Sequence, residues 1–85
     1  MKLYILKPKD PHAGPWNPWY DKVFGFVVCA PNPAEARKIA DSEAGDENRE
    51  AGQPHHPWLD PALSTCKELR PVGKPGLVLR DFSAA

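Results

Sequence analysis

"DKVFGFVVCAPNPAEARKIADSEAGDE", Asp21 to Glu47, reads as a strand followed at once by a helix. Val23 to Ala30 are mostly β-branched or aromatic, side chains that fit a pleated surface. Gly25 inside that run predicts a bulge or a close backbone approach. The helix begins after Pro31. Asn32 is a good N-cap, Pro33 suits the first helical position, and Glu35 three residues past the cap approximates a capping box. Ala36, Ile39, Ala40 and Ala44 recur at the spacing of one buried stripe. The stripe is narrow, with Ile39 as its expected anchor, and Gly45 is the expected left-handed stop.

The flanks extend this unit in both directions. "MKLYILKP", Met1 to Pro8, predicts a first strand that stops at the proline. Lys9 to Pro18 is proline-rich and reads as a loop. "DENREAGQPHHPWLDPALS" lacks any period and reads as a long loop with one helical turn in "DPALS". Thr65 to Arg70 predicts a third strand, "VGKPG" a turn, and Leu77 to Phe82 a fourth strand. The order is ββαββ. It implies a single α+β domain over residues 1–85, with a mostly antiparallel four-stranded sheet. The helix joins strands two and three, so one parallel pair with a right-handed crossover is open to it.

Both faces of the first two strands are apolar. Leu3 and Ile5 face one side and Tyr4 and Leu6 the other; Phe24, Phe26 and Val28 oppose Val27 and Cys29. Such strands belong to a sheet covered on both sides. One helix of about 12 residues, roughly 18 Å long, covers a single face. The helix is therefore expected on one face and the aromatic-rich loops on the other, through Trp16, Trp19, Tyr20, Trp58 and Leu59. These rings serve either as a lid on the core or as an exposed patch for a partner.

Eleven basic and eleven acidic residues balance to zero, so no global field draws the chain to nucleic acid or anionic lipid. The charge is uneven, however. Asp41, Glu43, Asp46, Glu47, Glu50 and Asp60 face Arg49 alone within residues 41–60. No run approaches the roughly 20 apolar residues of a membrane span, and "LYIL" is too short for a signal-peptide core. The expectation is a cytoplasmic protein with no membrane partner. Cys29 and Cys66 make no disulfide framework and read as thiols in apolar surroundings.

Catalytic and metal signatures are weak. His55 and His56 with Cys29 or Cys66 lack the local pairs of structural zinc sites, and His12 stands alone in a Pro/Gly loop. Cys29 lies mid-strand, where a thiol is inert. "GKPG" lacks the strand-to-helix context of a phosphate loop. No catalytic residue, metal or cofactor is therefore expected, and the protein reads as non-enzymatic. Aromatics interleaved with Lys7, Lys9 and Lys22 would suit single-stranded nucleic acid, but the basic residues are few. The acidic block instead suits a basic groove on a protein.

The chain carries W-x-P-W-Y-D-K (Trp16 to Lys22), F-V-V-x-A (Phe26 to Ala30) and E-A-R-x-x-A (Glu35 to Ala40), then A-G-D-E (Ala44 to Glu47), W-L-D (Trp58 to Asp60), S-T-C (Ser64 to Cys66) and L-R-D-F (Leu79 to Phe82). As a set the chain resembles a family of small uncharacterised bacterial and phage proteins, often encoded in prophage regions. The resemblance implies context: small phage proteins that block host defences, among them anti-CRISPR inhibitors of similar size. On that basis the expected function is inhibition of a host nucleoprotein machine, such as a CRISPR effector, in the bacterial cytosol. Trp16, Trp19, Tyr20 and Trp58 would anchor the contact. Asp41, Glu43, Asp46, Glu47 and Glu50 would form its charged rim. The alternatives are a nucleic-acid-binding accessory protein using the basic-aromatic first loop, and a domain that forms homodimers through an open sheet face.

Overall fold

The computed structural model describes residues 1–17, 20–52, 55–71 and 73–80. Three strands and one helix carry the architecture: β1 (Lys2–Pro8), β2 (Phe26–Ala30), α1 (Pro33–Ser42) and β3 (Ser64–Leu69). Short 3-10 turns occupy Gly14–Trp16, Asp46–Gly52 and Pro57–Leu59. The protein is a small α+β fold.

β1 takes the centre of the sheet, in the order β2-β1-β3, and pairs antiparallel with both neighbours. Cross-strand partners share a face. Tyr4 lies opposite Val28 and Glu68, and Leu6 opposite Phe26 and Cys66. On the reverse side Leu3 lies opposite Cys29 and Leu69, and Ile5 opposite Val27 and Lys67. β2 and β3 thus run in the same direction with β1 between them, and α1 takes the chain from one edge to the other. The adjacent parallel pair that the sequence left open does not form.

α1 starts where the sequence places it. The Asn32 Oδ1 accepts the Glu35 N–H at 2.9 Å, and Pro33 fills the first turn. The Glu35 carboxylate turns to Lys38 rather than back to the cap. Ala36 and Ala40 are fully buried, and these small side chains bring the helix close to the sheet. Ile39 is not the anchor that its spacing suggested, since it is 42% exposed. The stripe centres on Ala36 and Ala40, which leaves Ile39 on its flank.

Gly45 has a different reason from the one expected. The left-handed conformation among the described glycines belongs to Gly14, at φ 58. Gly45 sits against the chain at Asp21: a Cβ there would lie 2.2 Å from the Asp21 carbonyl oxygen. The same carbonyl accepts the Asp46 N–H at 2.8 Å. Gly25 lies just outside β2 and shows only ordinary spacing to Leu6, so no bulge is needed there. "DPALS" does form a hydrogen-bonded turn, with the Asp60 carbonyl accepting from Leu63 and Ser64 at 3.0 Å.

The expected four-stranded sheet has three strands among the described residues. Leu77 to Arg80 lie outside the sheet and are exposed, while Asp81 and Phe82 of the proposed fourth strand fall outside the description. Among the described residues the packed core lies on one side of the sheet, while Leu3 and Val27 on the other are half exposed. Trp16 and Trp58 join Tyr4, Leu6, Val28, Ala30, Ala36 and Ala40 in one core. Both indoles therefore extend the layer that α1 begins. A helix of 10 residues spans only about 15 Å, so the indoles complete the helix face instead of roofing the opposite one.

Candidate interaction surface

Two of the four residues that the sequence offered as partner anchors belong to the core. Trp16 and Trp58 are fully buried. Their rings meet edge to face at 5.3 Å, and Trp58 meets Phe26 likewise at 4.9 Å, a favourable quadrupole arrangement. The Trp16 indole N–H donates to the Val23 carbonyl at 2.8 Å, and the Lys22 ammonium donates to the Pro15 carbonyl. Neither ring presents surface to solvent, and Trp16 of the basic-aromatic first loop is spent inside the protein. Tyr20 is 74% exposed. Trp19 falls outside the described residues.

The acidic rim thins in the same way. Glu47 is fully buried and accepts three N–H groups: Val23 at 3.1 Å and Gly45 at 3.0 Å on Oε1, and the Trp58 indole at 2.7 Å on Oε2. Asp41 is half-buried; its Oδ1 accepts from the Asn48 amide at 3.0 Å and lies 2.9 Å from the His56 Nδ1. Glu43 and Asp46 are exposed, while the Glu50 side chain is outside the description. Two carboxylates proposed as a charged rim thus hold the 3-10 turns against the helix and the core. The residue type was informative; its destination was set by which backbone N–H groups needed an acceptor.

Arg37 escaped the sequence reading. Its guanidinium donates to the Trp58 carbonyl and the Ser64 hydroxyl, both at 2.8 Å, and to the Ser64 carbonyl at 3.0 Å. The buried Ser64 hydroxyl in turn donates to the Pro57 carbonyl at 2.8 Å. One side chain of α1 thereby ties the tryptophan turn to the start of β3. The signal was its place beside the Ala36–Ala40 stripe, where a cation needs a buried acceptor. Arg37→Ala leaves these oxygens without their donor and is expected to cost about 3 kcal/mol. Arg37→Lys keeps the charge but not the fork, and recovers only part of it; urea unfolding of both variants measures the difference.

The face of the sheet away from α1 carries exposed apolar side chains. Leu3 is 49% and Val27 53% exposed, Cys29 is exposed, and Ile5 and Leu69 are half-buried. Lys7, Thr65 and Lys67 form the other end of this face. Where Lys7 meets Ile5, Phe24 and Val27, an open groove of about 390 Å³ is closed on one side by Leu79 and Arg80. The face is therefore apolar at one end and cationic at the other, with no carboxylate among its strand residues. The two thiols are divided by the sheet, Cys29 on the open face and Cys66 on the covered one. Burial pushes the Cys66 thiol above its ordinary pKa, and the nearby Arg37 partly opposes that rise.

Among the described residues no three His, Cys, Asp or Glu side chains converge on a metal-sized site, and no helix is long and apolar enough to cross a membrane. No family model, curated protein or solved structure matches the chain, so the resemblance to phage-type proteins rests on the quoted motifs alone.

Proposed function

We propose that this protein is a binding module whose contact surface is the open face of its sheet, and that it acts by occupying a protein partner. The observation that carries the reading is that the core of the described residues lies on one side of the sheet. α1, Trp16 and Trp58 seal one face, while Leu3, Ile5, Val27, Cys29 and Leu69 line the other. An apolar patch of this kind with a polar border is the ordinary mark of an association site. Lys7 and Lys67 favour a partner that sets carboxylates beside its apolar side chains. The inhibitory setting, a host nucleoprotein machine such as a CRISPR effector in the bacterial cytosol, is what the resemblance of the quoted motifs implies. The nucleic-acid alternative loses Trp16 as a stacking platform, because that ring is in the core.

The test is affinity capture from bacterial lysate with wild type and Leu3→Lys/Val27→Lys side by side. Both positions are half exposed, so the variant is expected to keep its far-UV circular dichroism and melting temperature. It is expected to lose the captured partner. Equal capture by the two proteins would remove the open face from consideration. Added salt should weaken wild-type capture, because Lys7 and Lys67 act through screened charge.

A further inference from the structure

One end of the open face is recessed. Ile5 of β1 and Val27 of β2 lie opposite each other on that face. Together with Phe24 and Leu79 they line a groove of about 390 Å³. That volume falls within the roughly 300–1,000 Å³ of sites that enclose small ligands, and it suits one anchoring side chain of a larger partner. Lys7 and Arg80 line the same groove, and no carboxylate does so among the described residues.

The positive charge continues past the groove. Lys67 stands opposite Ile5 and Lys7 opposite Thr65, so the two lysines hold diagonal positions on one face. Both are exposed, and among the described residues no carboxylate pairs with either. Lys2 and Arg70, by contrast, both meet Glu68. The cations around the groove are therefore left for a negative charge from outside.

Shape and ring placement discriminate among anionic occupants. A lipid surface is met by apolar side chains that protrude into it, whereas this site is a recess. Single-stranded nucleic acid stacks its bases on aromatic rings. The two rings that border the groove are packed inward: Phe24 lies against the core and Phe26 meets Trp58 edge to face. A peptide with carboxylates around one apolar residue needs a recess for that residue and cations beside it, and both are here.

We infer that the groove seats one apolar side chain of a short acidic peptide segment, whose flanking carboxylates meet Lys7, Lys67 and Arg80. This deepens the proposed function and rests on it: the partner is recognised through a linear segment rather than through a folded surface.

Amide chemical-shift titration of the full chain tests the inference with three acetylated pentapeptide amides. The first sets four aspartates around a central leucine. The second has glycine in place of the leucine, and the third has lysines in place of the aspartates. The first should move the amides of Ile5, Gly25 and Val27 to saturation and leave those of α1 in place. The glycine peptide should bind at least about tenfold more weakly, as the loss of one buried leucine requires. The lysine peptide should leave the spectrum unchanged. Lys7→Glu/Lys67→Glu, at two exposed positions, should weaken the aspartate peptide about tenfold and admit the lysine peptide. Added salt should weaken the first peptide on wild type as well, an independent measure of the same charges. Absence of a saturable shift with the first peptide overturns the inference. Equal binding of the glycine peptide, shifts confined to α1, or a preference at these amides for oligothymidylate or for phosphatidylglycerol vesicles does the same. The proposed function fails separately. If the first peptide does not bind while Leu3→Lys/Val27→Lys loses its lysate partner, the acidic segment is wrong and the open face stands. If that variant keeps the partner, the open face itself is wrong.

Discussion

Trp58→Ala should unfold the protein, or leave it so near its midpoint that mild urea completes the process. Trp58 stands between Trp16 and Phe26 at the middle of the single core layer. Truncating a buried ring of this size costs about 3–5 kcal/mol. Its indole is also the donor to the Glu47 Oε2, and a buried carboxylate deprived of a donor costs about 1–3 kcal/mol more. A chain of 85 residues has about 4–13 kcal/mol in total. Trp58→Phe separates the two contributions. It keeps most of the ring packing and removes the N–H, so it should be destabilised by about 2 kcal/mol and stay folded. Urea midpoints for the two variants, with near-ultraviolet circular dichroism to report packing, provide the check. Equal losses would show that the indole N–H rather than the ring sustains the core.

Gly45→Ala should cost about 3 kcal/mol, the upper part of the range for overpacking. The added methyl would stand 2.2 Å from the Asp21 carbonyl oxygen and 3.1 Å from its carbon. Both are backbone atoms, so no rotamer change relieves the contact. Moving the Asp21 segment away would break the Asp46 N–H bond to that carbonyl, at 2.8 Å, and disturb the Gly45 N–H bond to Glu47, at 3.0 Å. A methyl at Gly14 meets open space, but Gly14 has φ 58, so Gly14→Ala should cost only about 1–2 kcal/mol of backbone strain. Thermal melts of the two alanine variants rank them. If Gly14→Ala is the worse, the close approach at Asp21 is not what constrains residue 45.

The parts of this fold that depend on neighbours in sequence were legible. β1 ended at Pro8, Asn32 capped the helix, and the turn at Asp60 formed where small and proline residues predicted it. The parts that depend on which layer a side chain joins were not. Trp16 and Trp58 were open to two readings, a lid on the core or anchors for a partner, and alternation along a strand does not say which face a distant loop will reach. The helix leaves room beside it on its own face because its contact residues are alanines, and both indoles fill that room. Glu47 was indistinguishable from its acidic neighbours in a linear reading. A tryptophan in a proline-rich turn did hold the clue, since a buried indole N–H needs an acceptor. For the interaction surface, the alternation of Leu3 and Ile5 with Tyr4 and Leu6 exposed two apolar faces correctly. What failed was the placing of Trp16 and Trp58 on the face opposite the helix, since both lie in the core with Ala36 and Ala40.

The central place of β1 also has a consequence for how the protein is made. Leu3 meets Leu69, and Pro8 meets Ser64, so the middle strand of the sheet waits on one of its partners until the ribosome has passed residue 69. From the end of β2 to the end of β3, translation takes roughly 2–8 s at about 5–20 residues per second. During that interval Tyr4, Leu6 and Val28 form at best a hairpin without Trp58 or Ser64 to close over it. Nascent chains of this protein should therefore be clients of ribosome-associated chaperones, and a stop codon before β3 should yield a product that is degraded rather than one that is partly active.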